Sequence, residues 1–263
     1  MGPGHPLAVH NENTGWKEGQ STLNRALRAI YKRLGVQHVG KRRVRDLYDF
    51  IADRKIDVVI DVGANVGQFG ESLRAGGYRG SIVSFEPIAS AFQSLSKKAA
   101  ADGNWEVYQC GLGAAPGKAI LNVSELSVFS SIMETTGIAS LHDKRIAVDH
   151  TEEISIRTLD EVAAGITGKI LLKVDTQGYE KKTMEGGRQA LPRMLGIMLE
   201  LPVIHAYKGS WRFDEAIKFM DDAGFVPAQI LPVNYHTVDN VSAVEFDCLF
   251  RPRSKVDGEI GLD

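Results

Sequence analysis

Two carboxylates, each closing an apolar run, offer the clearest chemistry in this sequence. Asp61 follows Val58-Val59-Ile60 and leads into Val62-Gly63-Ala64-Asn65-Val66-Gly67, a turn that opens a helix from Gln68 to Arg74. Gly63 permits the tight turn, and Gly67 lets the helix pack closely on the strand before it. Glu86 closes the next run, Ser81-Ile82-Val83-Ser84-Phe85, at a position where a carboxylate can hold both hydroxyls of a ribose. Together they read as a nucleotide-type cofactor site.

The order Asp-x-Gly-x-Asn-x-Gly narrows the cofactor. A dinucleotide loop brings backbone amides to a pyrophosphate, and an anion at Asp61 would repel that group. No Gly-Lys-Ser/Thr follows the turn, which excludes a Walker loop. A carboxylate here suits a cofactor that carries an ammonium and a sulfonium, namely S-adenosylmethionine.

A third carboxylate, Asp175, ends the run Lys169-Ile170-Leu171-Leu172-Lys173-Val174 and precedes the turn Thr176-Gln177-Gly178. Ligands of open α/β sheets bind outside the carboxyl ends of the strands, so Asp61, Glu86 and Asp175 are expected to line one crevice. Asp175 is then placed toward the reacting end, the alternative being a cap on the next helix. Methyl transfer from a sulfonium is an in-line displacement that requires an aligned acceptor, a destination for its proton and the exclusion of water. Candidate bases are Asp175, His142, His150 and His205, with Asp175 and then His142 foremost. Asp175 and Glu200, with Glu180 nearby in sequence, are an alternative Mg²⁺ set, although no metal is the expectation.

These groups must be positioned by ordered elements. From Asp57 onward apolar runs alternate with helical patterns, predicting strands at 57–61, 81–86, 105–110, 169–175, 195–201, 225–231 and 243–251 in a doubly wound α/β sheet. The last alternates apolar and polar residues, as an antiparallel edge or inserted strand would. Between the third and fourth strands lies a long insertion, 111–168, with a predicted hairpin of Lys118 to Val123 and Glu153 to Arg157. It is expected to roof the crevice and, with Ser130, Ser131, His142 and His150, to form much of the acceptor pocket.

The remaining chain divides into a flexible N-terminus (1–20), a helical segment (21–54), the main domain (55–252) and a tail (253–263). Leu23, Ala26, Leu27, Ile30, Tyr31 and Leu34 form the apolar stripe of a basic amphipathic helix expected to cover the sheet. Lys41-Arg42-Arg43-Val44-Arg45 opens another helix through Asp53 and reads as a solvated face. A chain of 263 residues accommodates one such domain with appendages, and its net charge of −2 argues against nucleic-acid binding by field alone. Cys110 and Cys248 lie in apolar patterns and read as core thiols. No signal peptide or membrane-length apolar span is apparent, so a soluble cytoplasmic enzyme is expected.

The motifs resemble those of FkbM-type methyltransferases, S-adenosylmethionine-dependent enzymes that mostly methylate hydroxyls of sugars and related natural products. The resemblance runs from about Val58 to Phe250. It is carried by Ile60 to Gly67, Ser84-Phe85-Glu86-Pro87, Cys110-Gly111-Leu112-Gly113, Ser130-Ser131 and, most specifically, Lys173-Val174-Asp175-Thr176-Gln177-Gly178-Tyr179-Glu180. Met198-Leu199-Glu200-Leu201, Tyr207 and Phe246 to Phe250 fit the family's later part. It implies a Rossmann-like, seven-stranded class I methyltransferase sheet and a small-molecule or glycan acceptor. It further implies Asp61, Gly63, Asn65 and Gly67 around the methionine end, Glu86 and Pro87 at the ribose, and Cys110, Gly111 and Leu112 near the adenine. Tyr179, Glu200, His205 and Tyr207 join Ser130, Ser131 and His150 as acceptor-side candidates.

Rival readings are a nicotinamide-dependent oxidoreductase, a binding module without turnover, and a nucleic-acid methyltransferase steered by Arg25 to Arg45. The turn at Asp175 lacks the Asn/Asp-Pro-Pro-aromatic pattern of amino-methylating enzymes, and Cys110 is placed at the cofactor rather than as a nucleophile. Small-molecule O-methylation is the simplest expectation.

Overall fold

A computed structural model describes residues 46–125, 127, 130–134, 136, 148–205, 207–235 and 241–254. Residues Asp46–Ser254 form one compact unit. The basic helix expected before residue 41, the run 41–45 and His142 lie outside the described residues.

In chain order the elements are α1 (Leu47–Arg54), β1 (Val58–Val62), α2 (Gln68–Ala75), β2 (Ser81–Phe85), α3 (Ala89–Asp102), β3 (Trp105–Tyr108), β4 (Gly111–Leu112) and β5 (Gly117–Ser124). They continue with β6 (Val148–Arg157), α4 (Leu159–Ala163), β7 (Ile170–Val174), α5 (Glu180–Glu185), β8 (Met194–Pro202), α6 (Phe213–Asp222), β9 (Phe225–Tyr235) and β10 (Ala243–Pro252). Seven strands form one sheet in the order β3-β2-β1-β7-β8-β10-β9, and β4-β6-β5 form a second.

The central strands are apolar at all but one position each because both faces are covered: all five residues of β1 and of β7 are buried. Strand alternation sends Ile60 and Leu172 to the core on one face, while Val59 and Leu171 join Leu73, Leu95 and Trp105 on the other. Two ionisable residues interrupt this apolar layer. Asp61 and Lys173 stand opposite each other in the β1–β7 register.

The last strand is antiparallel, as its alternation suggested. It is inserted between β8 and β9, which leaves β9 at the edge. Strand three is shorter than expected: it ends at Tyr108, and Gly111 and Leu112 leave the main sheet to pair in parallel with Ile156 and Arg157 of β6. The predicted hairpin is present and longer than foreseen, pairing Gly117 to Ser124 against Val148 to Ile156. Asp46 caps α1 through a reciprocal capping box with Asp49. Among the described residues no helix is long and apolar enough to cross a membrane.

Candidate active site

A cavity of about 470 Å³ opens at the carboxyl ends of the parallel strands, a volume suited to a small-molecule ligand. One half is built by the first two strand-to-helix turns. Gly63 (φ 77°) and Asn65 (φ 49°) both adopt left-handed backbone, which folds the β1–α2 turn back over the sheet edge. Glu86 accepts the backbone N–H of Asn65 at 2.7 Å and that of Ile88 at 2.8 Å, so one carboxylate fastens the two turns together. Burial raises its pKa to about 7, against the pull of those two N–H donors. Pro87, Ile88, Gly111 and Leu112 complete this wall.

The insertion contributes the roof through its serines. Ser127 Oγ donates to Asn65 Oδ1 at 3.0 Å, and Ser131 Oγ donates to the carbonyl of Gln177 at 2.6 Å while accepting from Met133 N at 3.0 Å. Ser130 Oγ accepts the Ser124 N–H at 3.0 Å. Ser127, Ser130 and Ser131 all line the cavity.

The other half is strongly polar. Lys173 Nζ lies 3.3 Å from Asp61 Oδ1 and 3.4 Å from Asp175 Oδ2, and 5.5 Å from the centre of the Phe69 ring. Burial alone would discharge this lysine, but Asp175 and Asp61 reverse the effect and raise its pKa. Burial likewise opposes ionisation of Asp175, yet Lys173 and the Gln177 amide hold its carboxyl below the usual range. Asp61 is fully enclosed and shifts upward through burial, with Lys173 pulling against it. Gln177, itself at φ 52°, donates through Nε2 to Asp175 Oδ1 at 2.9 Å and to Glu200 Oε2 at 3.1 Å.

β10 brings Glu245 and Asp247 to the same wall, joined from β9 by Val233 and Asn234. Burial and the Asp175 charge raise the pKa of Asp247 to about 6. A bulge explains why neighbouring residues of β9 both reach the cavity: Glu245 pairs with Asn234 and Phe246 with Pro232, leaving Val233 as the extra residue. Asn234 Nδ2 donates to Glu245.

Seven described residues singled out in the sequence do not line the cavity. Asp61 lies below its floor, because its side chain turns to Lys173 and accepts from Ser84 Oγ at 3.3 Å. Gly67 is the left-handed N-cap of α2, where a Cβ would press on Leu95 and Trp105 at 3.0–3.1 Å. Cys110 is packed in the core beside Phe85 and Leu112. His150 is exposed on β6, its ring bonded to Asp149 at 2.9 Å and Glu152 at 3.3 Å. His205 is turned to Ser210 Oγ at 2.8 Å. Tyr207 stands behind the wall and donates to Gln177 Oε1 at 3.1 Å, so it acts on the cavity through that amide. Glu180 is consumed by its own turn, one oxygen accepting from the N–H groups of Thr176 and Gly178 and from Thr176 Oγ1.

The structure does bring Gly63, Asn65, Glu86, Pro87, Gly111, Leu112, Ser130, Ser131, Asp175, Tyr179 and Glu200 to one cavity. Sequence reasoning passed over Lys173, Gln177, Asn234, Glu245 and Asp247. Lys173 carried a signal, an ionisable residue inside an otherwise apolar inner strand, and such a residue survives burial only with partners. Among the described residues no group of three or more His, Cys, Asp or Glu side chains is arranged to hold a metal ion.

The family of the FkbM methyltransferase domain matches residues 61–227, which include both glycine turns, Glu86 and Asp175. The chain belongs to the FkbM methyltransferase family. Among solved structures, this FkbM-family chain is similar to an FkbM methyltransferase from Methylobacillus flagellatus KT, at 15% identity and a TM-score of 0.44 over 74% of its length. It spans 43% of the length of that protein. An rRNA methylase from Streptococcus thermophilus (12% identity, TM-score 0.44) is matched over 83% of this chain and 100% of its own. Magnesium protoporphyrin IX methyltransferase from Synechocystis PCC 6803, solved with bound SAM, is matched at 13% identity and a TM-score of 0.43 over 95% and 100%. No curated protein matches the FkbM-family chain in sequence.

Proposed function

We propose that this FkbM-family methyltransferase uses S-adenosylmethionine to methylate a hydroxyl of a sugar, glycoside or related natural product. The observation that carries this reading is the division of one cavity into a glycine-turn half and a carboxylate-rich half, with Asp175 between them. Three features of the first half fit the cofactor. Glu86 spends one acceptor site of each oxygen on a backbone N–H, leaving lone pairs for a ribose diol. Ile88 and Leu112 offer an apolar slot for a flat base, and Gly63 to Asn65 leave room beside them for the methionine part.

Bound there, S-adenosylmethionine would supply an electrophilic methyl group. The protein's own contribution is to orient the acceptor and take its proton. Asp175, ionised beside Lys173, is placed to receive that proton at its carboxylate. Glu200, Asp247, Glu245 and Asn234 present hydrogen-bonding groups of the kind that select a polyhydroxylated partner. The serine roof, tied to Asn65 and Gln177, would help to keep water from the reacting centre.

Incubation with methyl-labelled S-adenosylmethionine and pooled sugar-containing metabolites, followed by mass spectrometry, tests this reading. A labelled O-methyl product supports it. Saturable binding of NADH with none of S-adenosylhomocysteine overturns it.

A further inference from the structure

The acceptor wall holds two carboxylates that share one amide donor. Gln177 Nε2 donates to Asp175 at 2.9 Å and to Glu200 at 3.1 Å, so one amide nitrogen draws the two carboxyls together. Two buried carboxyls gathered on one donor disfavour ionising together, and a proton on one of them lets it donate to the other. The surroundings are unequal. Asp175 has Lys173 Nζ at 3.4 Å, whereas among the described residues no lysine, arginine or histidine nitrogen forms an ion pair with Glu200. Glu200 is faced by Asp175 just beyond β7, by Glu245 and Asp247 from β10, and also by Lys173 of β7 and the Tyr207 hydroxyl.

We propose that Glu200 is the protonated member of this pair and serves as a positioning residue, donating its O–H to Asp175 and so aiming the ionised carboxylate at the acceptor. Lys173 sets the polarity of the pair by favouring charge on Asp175, while Tyr207 restrains it through Gln177 Oε1 at 3.1 Å. The directions of the shifts agree: burial first, then the charges of Asp175 and Glu245, push Glu200 far up, while Asp175 is held down. The consequence for turnover rests on the reaction proposed above; the location of the proton does not.

Infrared spectroscopy of the protein with ¹³C-carboxyl glutamate reads that proton without cofactor or acceptor. The expected result is a glutamic-acid C=O band that persists at a pH above the range of Glu86 and disappears only at markedly alkaline pH. Its absence from the wild-type protein overturns the proposal, even if no variant folds. In folded Glu200→Gln the band should vanish while the carboxylate bands remain, and loss of a carboxylate band instead also overturns it. With an acceptor found by the metabolite screen, Glu200→Ala should lower kcat roughly tenfold or more without changing S-adenosylhomocysteine affinity. Glu200→Gln, which retains a donor toward Asp175, should recover most of that loss. Equal damage from both folded variants would mean that the charge of Glu200 is required, and would reject its role as a neutral donor. Because the band is read on the protein alone, failure to find any methylated product leaves this test intact.

Discussion

Gly63 passes so close to Asp175 that a Cβ at position 63 would lie 1.8 Å from the Asp175 carbonyl oxygen. The first glycine turn and the proposed catalytic turn are therefore packed backbone against backbone, with Asp175 N donating to the carbonyl of Val62 at 3.1 Å. No rotamer change relieves such a contact, and the φ of 77° adds strain for any L side chain. Gly63→Ala should cost roughly 3 kcal/mol or more in stability, read as a drop in the urea midpoint. Near-normal stability would mean that the two turns separate easily.

Glu86 joins the β1 and β2 turns through Asn65 N and Ile88 N. If its remaining lone pairs also receive a ribose diol, Glu86→Gln should weaken S-adenosylhomocysteine binding by about 1.5–3 kcal/mol, the range for a hydrogen bond to a charged group. Calorimetry on the folded variant is the measurement, and unchanged affinity would place the ribose elsewhere.

Asp175→Asn preserves the shape of the side chain and removes its charge. If Asp175 is the proposed base or a metal ligand, turnover should fall by about 100-fold or more with the fold retained. Chelation separates two origins of such a loss. Wild-type activity that survives EDTA fits a base, whereas activity lost to EDTA and restored by Mg²⁺ fits a metal ligand.

Burial raises the folded-state pKa of Glu86 from 4.5 to about 7 and that of Asp247 from 3.8 to about 6. Both groups bind protons more tightly folded than unfolded, so their contribution to stability is complete below the unfolded values and is lost as pH rises through about 6 and 7. The urea midpoint should therefore decline from acidic to neutral pH and level off above it, and Glu86→Gln should flatten that decline. A midpoint that rises over the same window in the wild type would contradict these assignments.

Much of this architecture was legible because burial on both faces leaves a simple trace. Ile170 to Leu172 and Val58 to Ile60 are apolar without a break, and each ends where a glycine permits a turn. The pairing of β5 with β6 was equally visible, since alternation survives wherever one face meets solvent. What was not legible depends on which strands become neighbours. Glu245 and Asp247 reach the cavity only because β10 inserts beside β8, setting Asp247 opposite Glu200, and nothing local to residues 243–252 specifies that choice. Asp61 appeared to face the ligand for the same reason: its partner Lys173 is distant in sequence and adjacent only once β1 and β7 align. His150 misled because a polar residue gives no sign in the sequence of which way it points: it is held outward by Asp149 and Glu152.

The insertion of β10 separates the molecule into parts with different freedom to diverge. Gly63, Glu86 and Asp175 belong to a parallel block locked on both faces, where a single added methyl at position 63 strikes main chain. Glu245, Asp247, Val233 and Asn234 sit on an antiparallel ribbon whose only sheet partner within that block is β8. Evolution can rewrite one part while sparing the other. Drift in β9 and β10, or a shift of the bulge at Val233 by one residue, would re-aim the proposed acceptor wall and leave the turns of the parallel block undisturbed. Lineages descended from such a protein would then be expected to differ first along this ribbon, acquiring new acceptors before they alter the machinery beneath.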